Sequence, residues 1–274
     1  MTALTLLLLA QLQPLPDTLV AFDSKEGHEL LQAAQHKADF FPLVSHFTTQ
    51  RTTAFCGVAS SVMVLDSLDI QSPEVKDWAP FRAFTQENVF AAKTPAGIDA
   101  EHVQKGGLTI EQISALLEAN GATAAPVFAD ASSVDAFRAE LKKNLDDPKD
   151  FILVDFNRSE LKQDMGAHWS PVAAYDEASD RVLVLDVARM RYPPYWAKVD
   201  ALFNAMNTTD PDAGKSRGWV VVTKASGTTG KQPVGPMGHK LLKMAAAAGS
   251  GVFLLGVFVG WLVTFLRMRK KRPV

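Results

Sequence analysis

One thiol sets the question for this chain. Cys56 is the only cysteine and stands in QRTTAFCGVASSVMVLDSL, residues 50–68. A lone cysteine is by default a small buried hydrophobe, yet three features around it point to nucleophilic chemistry. AFCG puts the sulfur in the first turn of a helix, where unpaired amides and the macrodipole favour thiolate over thiol. Gln50, upstream in the same stretch, can fold its amide over the helix mouth and, with the Cys56 backbone N–H, donate to an oxyanion. Downstream lie His168 in GAHWSPVAAY and Asp186 in RVLVLDVAR. In such a set the imidazole takes the thiol proton and later protonates a leaving amine. The carboxylate fixes the imidazole tautomer.

The histidine and the acid have to meet, and strand pairing gives a test. Two strand candidates, Ser170–Tyr175 and Arg181–Val187, flank the polar loop DEASD, Asp176–Asp180. A hairpin closed on that loop pairs Tyr175 with Arg181 and puts Ser170 opposite Asp186. His168 then lies diagonal to Asp186 on the same face, about 7–8 Å away at Cα. A one-residue slip would separate them. An aspartate between Leu185 and Val187 needs a partner in any case. The other histidines, His28, His36, His46, His102 and His239, lie in segments without a matching acid and read as surface residues.

The elements that must hold these residues follow from hydrophobic period. Val58, Val62 and Leu65, widened by Ala59, Met63 and Leu68, predict a helix that is apolar almost all round and so buried. A second helix is predicted near Thr109–Asn120, with Thr109 as N-cap, Glu111 and Gln112 in its first turn and Gly121 as its stop. A third covers Ser133–Lys143. The period then shortens: FILVDF (151–156), SPVAAY (170–175), RVLVLDV (181–187) and WVVVT (219–223) read as strands. Helices first and strands later predict an α+β domain with a largely antiparallel sheet. The order Gln, Cys, His, Asp, with a helix under the cysteine and a sheet under the histidine, is that of the papain-like cysteine peptidase fold. AGKS at 213–216 is no phosphate loop, since Thr209 stands where the leading glycine is required.

Composition excludes other classes. Net charge is −2 with mixed signs, so no nucleic-acid footprint is present. One cysteine rules out an intramolecular disulfide and any zinc site built on two or more cysteines. No metal ligand is assigned. At the end of the chain, Met244–Leu266 is charge-free and long enough at 1.5 Å per residue to cross a bilayer. This predicts a C-terminal transmembrane helix, with Gly256 and Gly260 spaced for a helix-pairing face and a homodimer. The basic tail 267–274 is predicted to be cytoplasmic. The apolar start, 1–16, reads as a leader. The expected organisation is leader 1–16, catalytic domain 17–224, flexible tether 225–243, membrane helix 244–266 and basic tail. The expected location is a single-pass membrane protein with an extracytoplasmic catalytic domain.

QRTTAFCGVASSVMVLDSL, FTQENVF (84–90), GGLTIEQISALL (106–117), HWSPVAAYDEASDRVLVLDVARMRYPPYW (168–196) and GKSRGWVVVT together resemble the catalytic domain of the phytochelatin synthase family, over about residues 41–224. The block DVAR-x-x-YPP-x-W from Asp186 carries most of that likeness. The resemblance implies Cys56 as nucleophile, His168 and Asp186 as its partners and Gln50 as oxyanion donor. It implies Arg189 as a contact for the substrate carboxylate, with Arg158 and Tyr192 as further substrate-binding candidates. It also implies the reaction. Cys56 attacks the Cys–Gly bond of glutathione, releases glycine and holds a γ-glutamylcysteinyl thioester, which passes to a second glutathione or to water. No tightly bound cofactor is implied; heavy metals such as Cd, Zn or Cu enter as glutathione thiolate complexes. The cysteine-rich C-terminal region of the plant enzymes has no counterpart here, which resembles the short bacterial members and implies dominant hydrolysis. Two alternatives stand beside this reading: a papain-like peptidase acting on another peptide or γ-glutamyl bond, and an inactive membrane-tethered binding or sensor module.

Overall fold

The computed structural model describes residues 12–94, 98–164 and 166–227. Among them the chain runs β1 (Val20–Ala21), α1 (Lys25–Ala33), α2 (Phe40–Ser45), α3 (Cys56–Ser67), α4 (Ala100–Gly106) and α5 (Ile110–Ala119). It continues through β2 (Ala122–Phe128), α6 (Val134–Asn144), β3 (Asp150–Asn157), β4 (Ala167–Asp176), β5 (Arg181–Val184) and β6 (Tyr195–Lys198). α7 (Val199–Met206), the short hairpin β7 (Thr209–Asp210) and β8 (Lys215–Ser216), and β9 (Gly218–Lys224) complete it. Seven strands form one sheet in the order β1-β6-β5-β4-β3-β9-β2, and its neighbouring strands pair antiparallel. The α+β expectation holds for these residues.

Local chemistry fixes the helix ends. Thr109 and Gln112 form a reciprocal capping box at the start of α5, satisfying two donors that the helix geometry leaves open. Ser133 accepts from the Ala136 N–H at 3.2 Å to start α6, whose last turn carries Lys142 and Lys143 where the dipole favours cations. Asp99 caps α4 through the His102 N–H at 2.8 Å. That helix stops at Gly107, whose φ of 82° suits glycine and turns the chain along the edge of the cleft described below.

The sheet separates two apolar clusters. On one face Phe151, Leu153, Trp169, Leu183, Val220 and Val222 pack with α3 and α5. On the other Ile152, Val154, Phe156, Val172, Val182 and Val184 pack with α6 and α7. α3 is buried from Cys56 to Asp66, as its all-round apolar sequence predicts. Val58, Met63, Val64 and Leu65 are wholly covered, and each is worth about 1.5–3 kcal/mol relative to exposure.

Some elements leave little trace in the sequence. Strand β2, ATAAPVF, lacks strand-like composition and is paired only through β9. As an edge strand it tolerates Pro126, because a missing N–H costs nothing on the unpaired side. Helices α1, α2, α4 and α7 and strands β1 and β6 were likewise not expected.

The expectation of a membrane-spanning element is corrected. Among the described residues no helix is long and apolar enough to cross a membrane. The 12-residue α3 extends about 18 Å, against roughly 30 Å of hydrocarbon. Among the described residues the fold is therefore α+β without a membrane-spanning helix, and the expected single-pass membrane location is corrected with it. Residues 244–266, the glycine pair within them and the basic tail lie outside the described residues, as does most of the leader 1–16. Of that leader, the Gln13 N–H bonds to the Arg191 carbonyl at 2.8 Å and Leu15 packs on the second cluster.

Candidate active site

Cys56 opens α3, as its sequence context predicts. The loop before it is tied down on two sides. The Gln50 N–H donates to the Val187 carbonyl at 2.9 Å, one residue past Asp186. Gln86 accepts from the Arg51 N–H at 2.8 Å and donates to the Thr49 carbonyl at 2.9 Å. The backbone N–H groups of Trp169 and Gly57 point at the Cys56 sulfur, so the thiol sits against the strand position adjacent to His168. The thiolate expectation is corrected, however. Burial pushes the Cys56 thiol up to about 11, with nearby Asp155 adding to it. The two N–H groups and Arg158 pull the other way and lose. The amides of one helix turn do not replace the water that a buried anion gives up.

The structure brings His168 and Asp186 together. His168 Nε2 lies 3.0 Å from Asp186 Oδ1 and 2.9 Å from Ser170 Oγ. The hydroxyl of Ser170 also accepts from the Val187 N–H at 3.4 Å. This arrangement puts the ring proton on Nε2, facing the carboxylate, and leaves Nδ1 as the basic nitrogen. The imidazole meets Phe156 edge-on, with ring centroids 5.5 Å apart.

Beneath the pair lies a buried guanidinium. Arg158 Nη2 is 2.8 Å from both Asp186 oxygens, hydrogen-bonded to Oδ1 and in ionic contact with Oδ2. Its Nη1 donates to Gln163 Oε1 at 2.8 Å, and its charge lies 5.1 Å over the Tyr192 ring. Tyr192 in turn accepts from the Asp164 N–H at 2.8 Å. Electrostatics follow from this packing. Burial first, and Arg158 second, lower His168 to about 4 against the pull of Asp186. For Asp186 burial acts upward, but His168, Arg158 and the Ala188 N–H outweigh it and hold the carboxyl at about 2. At neutral pH the ligand-free site therefore holds a neutral thiol, a neutral imidazole and a carboxylate balanced by Arg158.

The remaining predicted residues fall in different places. Gln50 is buried, with its amide N–H₂ donating to the Thr52 carbonyl at 2.7 Å and its carbonyl oxygen without a hydrogen bond. Arg189 is exposed, its guanidinium 4.6 Å from the Phe47 ring centroid. Arg158 and Tyr192 are not on the cleft surface; both are buried behind Asp186. His36 departs from the surface reading. It is held between Asp146 at 2.9 Å and Glu177 at 2.8 Å, acids brought from more than a hundred residues away. Ser170 and Asp155 were missed as site residues. Asp155 carries the same signal that singled out Asp186, an acid inside an apolar strand.

Beside the sulfur opens a cavity of about 660 Å³, lined among others by Cys56, Asp155, Trp169, His102, Lys105 and Gly107. Among the described residues no group of three or more His, Cys, Asp or Glu side chains could hold a metal ion.

Comparison with known proteins identifies the family. The phytochelatin synthase family model matches residues 10–219. Glutathione gamma-glutamylcysteinyltransferase 1 of Triticum aestivum is 34% identical over 211 residues, which cover 76% of this chain and 41% of the relative. Glutathione gamma-glutamylcysteinyltransferase 2 of Arabidopsis thaliana is 33% identical over 208 residues, covering 75% and 45%. Glutathione gamma-glutamylcysteinyltransferase of Schizosaccharomyces pombe is 29% identical over 212 residues, covering 76% and 50%. The chain thus spans about half, or less, of the length of these curated relatives. With a family model matched over most of its length, and the residues of the cysteine helix and the DVAR block inside that match, the chain belongs to the phytochelatin synthase family.

Proposed function

We propose that this protein cleaves glutathione at its Cys–Gly bond through a thioester on Cys56. The observation that carries the reading is the placement of a lone thiol at the start of α3, against the strand whose His168 turns Nε2 to Asp186. A helix under the cysteine and a sheet under the histidine support papain-like chemistry. As the sulfur attacks the carbonyl carbon, its proton passes to His168 Nδ1, and the imidazolium that forms is stabilised by Asp186. The carbonyl oxygen takes the negative charge and is met by Gln50, once its amide swings from Thr52, and by the Cys56 backbone N–H. When the C–N bond breaks, His168 returns the proton to the departing amine of glycine. Water or the α-amine of a second glutathione then attacks the thioester, with His168 again as base, and the thiol is regenerated. The products are γ-glutamylcysteine or a chain lengthened by one γ-glutamylcysteinyl unit. Arg189, exposed near the loop that carries Asp186, serves as a contact for a substrate carboxylate.

Soft metals enter as substrate. Cys56 is the only thiol of the chain, so Cd, Zn or Cu thiolate bonds are supplied by glutathione rather than by the protein. The test incubates the protein with glutathione, with and without Cd²⁺, and follows glycine, γ-glutamylcysteine and longer oligomers by mass spectrometry. Glycine release that disappears in Cys56→Ser is expected. No glycine under any condition, or unchanged turnover in that variant, refutes the reading.

A further inference from the structure

At the end of α3 away from the thiol, buried oxygens gather without donors. Asp39 is fully buried and stands at the N-cap of α2. A cap aspartate normally accepts an N–H of its own helix. Asp39 accepts none, and neither of its oxygens has a hydrogen bond. Asn144, the last residue of α6, is also fully buried, and both polar atoms of its amide lack partners. Asp150, the first residue of β3, has a buried Oδ1 in the same condition. Backbone bonds hold these segments together. The Ala38 N–H donates to the Leu145 carbonyl at 2.7 Å, the Asp147 N–H to the Asn144 carbonyl at 2.9 Å and the Asp150 N–H to the Asp147 carbonyl at 3.3 Å. Asn144 lies beside Asp150, and the charges that act on Asp39 are those of Asp150 and Asp147. Nearby lysines are engaged elsewhere: Lys143 Nζ is exposed and 3.5 Å from Glu140, and Lys224 donates to the Asp69 carbonyl at 3.1 Å. Asp150 opens the group to solvent. With Ser67, Leu68 and Asp147 it lines a cavity of about 480 Å³, where the carbonyl end of α3 also favours a cation.

We infer that Asp39, Asp150 and the amide oxygen of Asn144 bind a hard divalent cation, calcium, admitted through this cavity. Buried carboxylates and amides without partners are costly, and one doubly charged ion offsets the cost at all three side chains. Two carboxylates and one amide oxygen fall short of a group of three acidic or imidazole side chains. They are a donor set for calcium, which takes about six to eight oxygens and completes its shell from backbone carbonyls and water. The oxygen-only set also separates this site from the soft metals carried by glutathione thiolates. The bound ion ties the segment before α2 to the end of α6 and the start of β3. β3 leads into Arg158, and α3, whose last residue borders the cavity, begins at Cys56. The site therefore braces, from the far end, the two elements that carry the nucleophile and the guanidinium beneath Asp186.

The test strips the full chain with EDTA and follows Tm as CaCl₂ or MgCl₂ is added, with equilibrium dialysis to count bound calcium. A site of this charge should have a Kd of about 0.1–1 mM. At about 10 mM calcium the wild type should then melt roughly 3–10 °C higher, saturably, with about one ion held per chain. Magnesium should do less, because it gives up its water reluctantly and demands a stricter geometry. Asp39→Asn and Asp150→Asn should each lose most of the calcium response and the bound ion. In EDTA, Asp39→Asn should melt no lower than wild type, because its amide brings no charge into the interior; its lost response is then not lost folding. A wild type whose Tm calcium does not move overturns the proposal without any variant. So does a response, or a bound ion, that survives in both variants, and so does an equal response to magnesium.

Discussion

Replacing Arg158 by methionine tests the electrostatic support of the site. The change removes a guanidinium 2% exposed, with one nitrogen 2.8 Å from both Asp186 oxygens. Asp186, itself fully buried, is left with His168 and the Ala188 N–H at 2.8 Å. Taking one partner from a buried ion pair costs about 3–5 kcal/mol. In a domain of this size each kcal/mol moves Tm by about 2–4 °C, so a fall of roughly 6–20 °C at pH 7 is expected. The same variant has a kinetic signature. Arg158 is, after burial, the main cause that holds His168 at about 4. Without it the imidazole gains a proton more readily, and the acid limb of glycine release shifts to higher pH. Asp186→Asn added to Arg158→Met removes the stranded charge, and the double variant should be clearly more stable than the two single losses sum to. Thermal melts by near-ultraviolet circular dichroism and a pH–rate profile between about pH 4 and 8 measure both effects. An unchanged Tm together with an unmoved acid limb would refute the reasoning, as would strict additivity in the double variant.

Two further predictions use other groups. Asp39 is fully buried, neither oxygen has a hydrogen-bond partner, and burial with the charges of Asp150 and Asp147 pushes it up to about 9. The folded state thus keeps a proton that the unfolded chain releases above 3.8, so the stability held by the neutral form is full below that value and is lost as pH rises through 9. Asp39→Asn should melt higher than wild type at pH 8, by an amount worth on the order of 1–3 kcal/mol, with the gap closing near pH 4; a lower Tm at pH 8 contradicts this. Cys56, held up to about 11, should be alkylated by iodoacetamide at a rate rising about tenfold per pH unit between roughly pH 7 and 10 in the ligand-free protein, read as adduct mass. A plateau below about pH 8 would show a pre-formed thiolate.

How the sequence foretold the site is clearest in one hairpin. Alternation and the DEASD loop predict Tyr175 opposite Arg181, but Asp176 takes that place and Tyr175 pairs with Val182. Read from the turn alone, this is the one-residue slip that would separate His168 from Asp186. A bulge at Ala173 takes up the extra residue, so Val172 pairs with Val184 and the Leu185 N–H meets the Pro171 carbonyl at 3.0 Å. That is the predicted register, and it lays Ser170 beside Asp186. The bulge shows in the packing, where Ala173 and Ala174 both join the first cluster while Val172 and Tyr175 face the second. Pattern reading succeeds at the two ends because the burial of alternate residues fixes each separately. It cannot see the bulge, because alanine fits either face.

What the sequence does not show is charge balance. Nothing near Asp186 in the chain announces Arg158, which is brought beneath it by the turn after β3, just as nothing near His36 announces Asp146 or Glu177. The helix start before Cys56 is legible and suggests a thiolate, yet the structure buries the sulfur so far that two N–H groups and a guanidinium do not prevail. The same burial keeps His168 neutral and therefore basic. On this account the ion pair is made only when an acyl substrate enters the cleft, since proton transfer from sulfur to imidazole is then coupled to bond formation at the carbonyl carbon. Arg158 opposes the imidazolium and favours the thiolate, while Asp186 favours the imidazolium. Their opposition sets how much of the charge separation the protein supports by itself and how much the bound substrate has to supply.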